Sequence, residues 1–91
     1  MRQVKMMEIS TSNLKEETRN WLDEQVDKRN SELITYSKES YGYFIPLFDE
    51  MELDSVPNDL RKIIDYAISN SFEWVMFDCD AEESQLFEVF E

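Results

Sequence analysis

Short runs rich in apolar, aromatic and β-branched residues alternate along this chain with longer segments whose apolar residues recur at helical spacing. Val4 to Ile9 is short and apolar-rich, as a strand requires, and runs into Ser10-Thr11-Ser12-Asn13, whose side-chain oxygens favour helix entry. A helix starting at Ser12 or Asn13 follows. Leu14, Trp21, Leu22 and Val26 fall on one of its faces, while Lys15, Glu16, Arg19 and Asp23 lie off it, to about Lys28. Leu33 to Ser37 and Tyr41 to Leu47 are rich in aromatic and β-branched residues and are separated by Lys38-Glu39, which predicts a hairpin. Pro46 can donate no ladder hydrogen bond and marks a strand end or an edge.

Phe48 to Val56 is an acidic loop, and Pro57 has the fixed φ that suits a first helical turn. Leu60, Ile63, Ile64, Ala67 and Ile68 then repeat at helical spacing, a buried stripe. Asn70 can take the left-handed conformation that ends such a helix. Phe72 to Phe77 is almost wholly apolar, as in a strand covered on both faces, and Gln85 to Phe90 has the composition of a last, weaker strand. The order β-α-β-β-α-β predicts one α+β domain over residues 1–91. It matches the split βαβ arrangement of ferredoxin-like domains, with both helices on one face of a small antiparallel sheet.

Charge changes this picture from a fold into a surface. The first thirty residues hold six basic and six acidic side chains; the remaining sixty-one hold three and fifteen, which is the whole net charge of −12. No Lys or Arg follows Lys62. Such a field repels nucleic acid, anionic lipid and nucleotides, and attracts basic protein surfaces, including those that grip a phosphate backbone. Disorder is not the consequence, because 13 % of residues are aromatic and 42 % hydrophobic. With one Gly and two Pro there is no linker or low-complexity tract. No apolar run approaches the roughly 20 residues of a membrane span, and MRQVKMMEIS lacks the apolar stretch of a signal peptide, so a cytoplasmic location is expected. Cys79 is the single cysteine and there is no His, which removes an intrachain disulfide, a CxxC pair, a zinc cluster and the usual general base.

The sharpest local pattern is Val75-Met76-Phe77-Asp78-Cys79-Asp80, an apolar strand ending in D-x-D. In haloacid-dehalogenase-like phosphatases such an end presents a nucleophilic and a general-acid Asp beside magnesium. Those enzymes add a Lys and further acidic ligands on later strands, whereas eleven residues follow Asp80 and none is basic. A catalytic role is therefore not expected. Asp78, Asp80, Glu82 and Glu83 could gather around calcium, but the spacing lacks the Gly and the terminal Glu of an EF-hand loop, so no cofactor or metal is expected. Asp49, Glu50, Glu52 and Asp54 form a second acidic cluster. If the two loops share a face, they make a continuous anionic surface. Trp21, Phe72, Trp74 and Phe77 fall at core positions, whereas Tyr36, Tyr41 and Tyr43, on the hairpin, have the rigid body and polar tip that are enriched at interfaces.

The segments Glu8-Ile9-Ser10-Thr11-Ser12-Asn13, Tyr41-Gly42-Tyr43-Phe44, Pro57-Asn58-Asp59-Leu60 and Glu73-Trp74-Val75-Met76-Phe77-Asp78-Cys79-Asp80 together resemble a family of small proteins of unknown function carried by plasmids and phages. Its pattern opens with I-S-T-A-H, carries Y-G-F/Y-F and closes with W-h-h-h-D-x-D-G and an L-P-x-Y tail. This chain departs from it with Ser12-Asn13 for Ala-His, Ala81 for Gly and Leu86-Phe87-Glu88-Val89 for the tail, which puts any role of that His in doubt. The resemblance implies a mobile-element setting, where small acidic proteins antagonise host restriction or CRISPR nucleases by imitating nucleic acid. The expectation is a non-catalytic inhibitor, a monomer or weak dimer, whose acidic residues Asp49, Glu50, Glu52, Asp54, Asp78, Asp80, Glu82 and Glu83, with Tyr41 and Tyr43, bind a basic host protein. It would not bind nucleic acid or membrane itself. The alternative is a protein that self-associates through the Tyr-bearing hairpin, its acidity serving solubility; a metal-dependent phosphatase ranks last.

Overall fold

A computed structural model describes residues 1–28 and 31–90. The elements are β1 (Met6–Ser10), α1 (Glu16–Asp27), β2 (Tyr36–Lys38), β3 (Gly42–Pro46), α2 (Asn58–Ser69) and β4 (Trp74–Asp78). Their order is the β-α-β-β-α-β of the sequence pattern, and the fold is α+β. The sheet order is β1-β4-β3-β2. β4 pairs antiparallel with β3, and β3 with β2, but β1 runs parallel to β4, with Ile9 opposite Phe77. The sheet is thus mixed, not antiparallel, and differs from the split βαβ arrangement. β4 is an interior strand because its Val75 and Phe77 extend one apolar row from Met7 and Ile9 on β1 to Ile45 and Tyr43 on β3.

That row is one face of the sheet. Ile9, Tyr43, Ile45, Val75 and Phe77 are buried there in one cluster with Leu22 of α1 and with Leu60, Ile63, Ile64 and Ala67 of α2. Both helices therefore cover the same face. The opposite face carries Met6, Tyr36, Phe44, Trp74 and Met76, and no helix among the described residues lies on it; Trp74 and Met76 are half-buried and Tyr36 is 54 % exposed. β4 is covered on one face, not two, and Trp74 is not a core residue.

Local details differ from the pattern for identifiable reasons. Thr11–Asn13 forms a 3-10 turn in which Ser10 Oγ accepts from the Ser12 N–H, and α1 begins at Glu16. Lys15, at its N-cap, has no side-chain cap of its own; instead Asp59 of α2 accepts from the Lys15 N–H at 2.9 Å and the Thr18 hydroxyl at 2.6 Å. A carboxylate from α2 thereby satisfies a donor that α1 leaves open. After α2 it is Ser71, not Asn70, that turns left-handed, at φ 63°; Asn70 stays at φ −104° and uses its Nδ2 on the Tyr66 carbonyl. The first hairpin strand is only Tyr36–Lys38, since Leu33 and Thr35 are drawn into the buried layer outside the ladder.

Gln85 to Phe90 forms no strand. Asn13, 1 % exposed, holds this segment instead: its Nδ2 donates to the carbonyls of Ser84 (3.0 Å) and Glu88 (2.9 Å), and its Oδ1 accepts from the Ser84 N–H (2.9 Å). The Glu88 carbonyl and the Phe90 N–H, bound to Asn13 and to the Ser12 carbonyl, tie the segment to the Thr11–Asn13 turn instead of to a strand.

Candidate functional site

Asp78 closes β4 opposite Gly42, which in turn lies opposite Lys38, so the three residues form a row across the sheet. A side chain at the centre of that row is excluded. A Cβ on Gly42 would stand 1.7 Å from the Phe77 carbonyl oxygen, so β3 and β4 pair at this distance only with glycine there. Over it, Lys38 Nζ reaches Asp78 Oδ2 at 2.6 Å, and the Asp80 N–H donates to Asp78 Oδ1 at 2.8 Å. The Lys38 hydrogen bond, then the Asp80 N–H, holds the Asp78 carboxyl below the usual carboxylate range; the same bond raises Lys38.

These contacts change the expected role of the D-x-D end. A lysine does reach Asp78, from the upstream β2 rather than from a later strand. Both Asp78 oxygens are engaged, so Asp78 is not a free negative charge. Among the described residues, Asp78, Cys79 and Asp80 are the one group of metal-ligating side chains whose ligand atoms lie within 4.8 Å of one another. Of these, Asp80 and the Cys79 thiol are exposed. Glu82 and Glu83 are exposed as well, with Glu83 accepting from the Ser12 hydroxyl at 3.1 Å.

Asp49, Glu50, Glu52 and Asp54 are all exposed, on a connection anchored by buried Leu53 and Val56. This loop leaves β3 at Pro46, opposite Trp74 at the start of β4, whereas the Asp80 turn follows the end of β4. Four residue steps of strand, about 13 Å, separate those points. Asp49 shares a groove with Ser71, Phe72 and Glu73, at the far end from Asp80. The two acidic loops therefore start from opposite ends of the sheet, and the condition for a single continuous surface is not met at their origins.

The tyrosines divide. Tyr41 is 47 % exposed, with Lys38 Nζ 5.6 Å from its ring centroid. Tyr43 is a core residue, not an interface one. It is 8 % exposed, its ring packs in the helix-covered layer, and its hydroxyl donates to Asp23, beside the Arg19 carbonyl. Burial first, and the bond to Asp23 second, pushes its phenol well above the usual tyrosine range.

The surface that the sequence pattern missed is the bare sheet face. Tyr36 and Trp74 lie with ring centroids 6.3 Å apart, and Ile34, Pro46, Leu47 and Phe48 complete with them a shallow groove of about 360 Å³. Exposed Met6 and Val4 extend the apolar area along the β1 edge. Two ion pairs border it, Arg2–Glu73 and Lys38–Asp78, the two found among the described residues. The signal was present in β3 and β4, where both alternating positions are apolar: Phe44 and Pro46 as well as Tyr43 and Ile45, and Trp74 and Met76 as well as Val75 and Phe77. A larger groove, about 550 Å³, lies on the helical side between the starts of α1 and α2 and the C-terminal segment, lined by Trp21, Lys62, Leu86, Phe87 and Phe90 among others.

Fold and surface together define a small acidic α+β domain with two anionic ends and one uncovered apolar sheet face. The chain belongs to the Family of unknown function (DUF5983) C-terminal domain, whose sequence profile matches residues 6–91. No curated protein and no solved structure matches the chain. No helix among the described residues is long and apolar enough to cross a membrane.

Proposed function

We propose that this domain is a non-catalytic binding protein that docks by its acidic ends onto a basic partner built to hold nucleic acid. The observation that carries this reading is the unpaired surface charge. Asp49, Glu50, Glu52, Asp54, Asp80, Glu82 and Glu83 are exposed and make no ion pair among the described residues, in a chain of net charge −12. Exposed carboxylates held apart without cations raise the energy of the free protein through self-repulsion, and a basic partner relieves it on binding. The geometry favours two separate basic patches, or the two walls of a groove, over a single one, because the clusters leave opposite ends of the sheet. The resemblance to plasmid- and phage-carried proteins makes a host restriction or CRISPR nuclease the partner of choice, inhibited by occupation of its nucleic-acid groove.

The test is affinity capture from host lysate with mass spectrometry, followed by competition between this protein and duplex DNA for the captured partner. Mutual exclusion, with affinity that falls steeply as salt rises, is expected. Neutralising Asp49, Glu50, Glu52 and Asp54, or Asp80, Glu82 and Glu83, to Asn and Gln should slow association, and the two sets should add. If both variants fold and bind the partner with unchanged rate and salt dependence, the charge serves solubility and the reading is wrong.

A further inference from the structure

We infer that the C-terminal segment from Glu83 to Phe90 is a latch. It opens as one unit while the sheet and both helices stay folded, and in opening it takes away one wall of the groove between the starts of α1 and α2.

The attachments are few and converge on one place. Among the described residues, every hydrogen bond between this segment and the rest of the chain ends on Ser12 or Asn13. The Ser12 hydroxyl donates to Glu83 at 3.1 Å and its carbonyl accepts from the Phe90 N–H at 2.7 Å, while Asn13 makes the three bonds to Ser84 and Glu88. Two rings add to these, Phe87 edge-on to Tyr66 and Phe90 beside Lys15 Nζ at 5.7 Å. Bonds that all end on one turn are lost together, because breaking some of them frees the chain that holds the others in place.

The core is complete without the segment. Its buried apolar residues run from Ile9 to Phe77; no residue of Glu83–Phe90 is buried, and Phe87 is the one that packs on the core cluster. Opening therefore removes no buried side chain from the core. Docking is also opposed, since ordering eight residues costs conformational entropy. Glu83 and Glu88 moreover bring negative charge, with no cation of the segment's own, onto a chain of net charge −12. The closed latch is thus favoured by far less than the folded domain as a whole.

What opens with it is the larger groove, about 550 Å³ when closed. Leu86, Phe87 and Phe90 leave with the latch, whereas Trp21 and Lys62 stay behind on the helices. Access to half-buried Trp21 and to buried Asn13 is governed by this one equilibrium.

Amide exchange of the full chain, followed residue by residue at denaturant concentrations below the unfolding transition, tests this. Ser84 and Phe90 should exchange together, with protection on the order of 10²-fold and almost no dependence on denaturant. Val75 and Phe77 of β4 should be protected at least about 10³-fold and depend steeply on denaturant, because only global unfolding exposes much surface. Phe87→Ala should speed Ser84 and Phe90 by the same factor although it touches neither bond; Tyr66→Ala removes the same contact from α2 if Phe87→Ala fails to fold. Asn13→Ala should bring Phe90, whose own bond to Ser12 it leaves intact, close to the rate of an unprotected amide. Equal rates and denaturant slopes for the segment and β4 overturn the inference, since the segment then leaves only when the domain unfolds. So do Ser84 and Phe90 amides that exchange freely in the parent, or that respond separately to the Phe87 or Tyr66 variant, since the segment is then not closed or frays piece by piece.

Discussion

Replacing Asn13 with Ala should release the C-terminal segment and measurably weaken the whole domain. Asn13 is 1 % exposed and makes three hydrogen bonds, at 2.9 to 3.0 Å, to backbone groups of Ser84 and Glu88 some seventy residues away. A net hydrogen bond is worth about 0.5–1.5 kcal/mol, but the freed groups sit near the surface and regain water once the segment lifts, so about 2–3 kcal/mol is expected rather than the full total. For a domain of this size each kcal/mol moves Tm by about 4–8 °C, which puts the shift near 10–20 °C. Detachment also takes Phe87 from its edge-to-face contact with Tyr66, at 5.6 Å, and the Phe90 N–H from the Ser12 carbonyl. Denaturant melts and hydrogen exchange at the Ser84 and Phe90 amides read both effects. Asn13→Asp should do no better than Ala at neutral pH, because a carboxylate keeps the acceptor for Ser84 but faces two carbonyls with no donor. Stability within about 0.5 kcal/mol of the parent, the scatter of ordinary surface substitutions, together with unchanged amide protection, would refute the clamp.

Three further outcomes can be checked independently. Gly42→Ala should cost at least about 3 kcal/mol or prevent folding, since its Cβ meets the Phe77 carbonyl oxygen and the strands must part; a cooperative melt like the parent's would contradict that. Tyr43 keeps its proton in the folded state where an exposed phenol loses it, so its contribution to stability is complete below about pH 10 and is lost as pH rises through its raised folded value. Tyr43→Phe should remove that alkaline decline, as chemical melts between neutral and alkaline pH will show. Magnesium should support no turnover of a generic phosphomonoester, because Lys38 and the Asp80 N–H occupy both oxygens of Asp78; turnover lost in Asp78→Asn would revive the phosphatase.

The elements that could be read from the chain are those whose cause is local. α2 declares itself because Leu60, Ile63, Ile64 and Ala67 repeat at helical spacing and are all fully buried. Tyr41 to Leu47 has the aromatic and β-branched composition of a strand, though β3 is shorter, Gly42–Pro46, with Pro46 at its end. What could not be read depends on residues far apart in sequence. The parallel pairing of β1 with β4 joins Met6 to Trp74, and nothing in either strand distinguishes that neighbour from another. Gln85 to Phe90 has a strand's composition, yet Asn13 takes the Glu88 carbonyl and the Ser84 backbone just before the segment. The acidic residues were visible as charge but not as a surface. Asp78 differs from Asp80 in closing β4 beside Lys38, and Tyr43 differs from Tyr41 in lying within β3, on its helix-covered face, whereas Tyr41 stands in the turn before the strand.

The place of β4 between β1 and β3 has a consequence for how the chain comes to be folded. It is the latest made of the four strands and the one on which the other sheet pairings across the molecule depend. Until residue 78 emerges from the ribosome, β1 has no neighbour and the β2–β3 hairpin stands alone, marginal in water as an isolated two-stranded hairpin is. Synthesis therefore has to pass residue 78 before the four-stranded sheet can close, and closure needs the distant pairing of Met6 with Trp74, which makes it slow relative to local structure. During that interval exposed strands invite association with other nascent chains. The carboxylates of the unfolded segment repel one another at that stage, so the charge that shapes the surface of the folded domain also keeps its half-made copies apart.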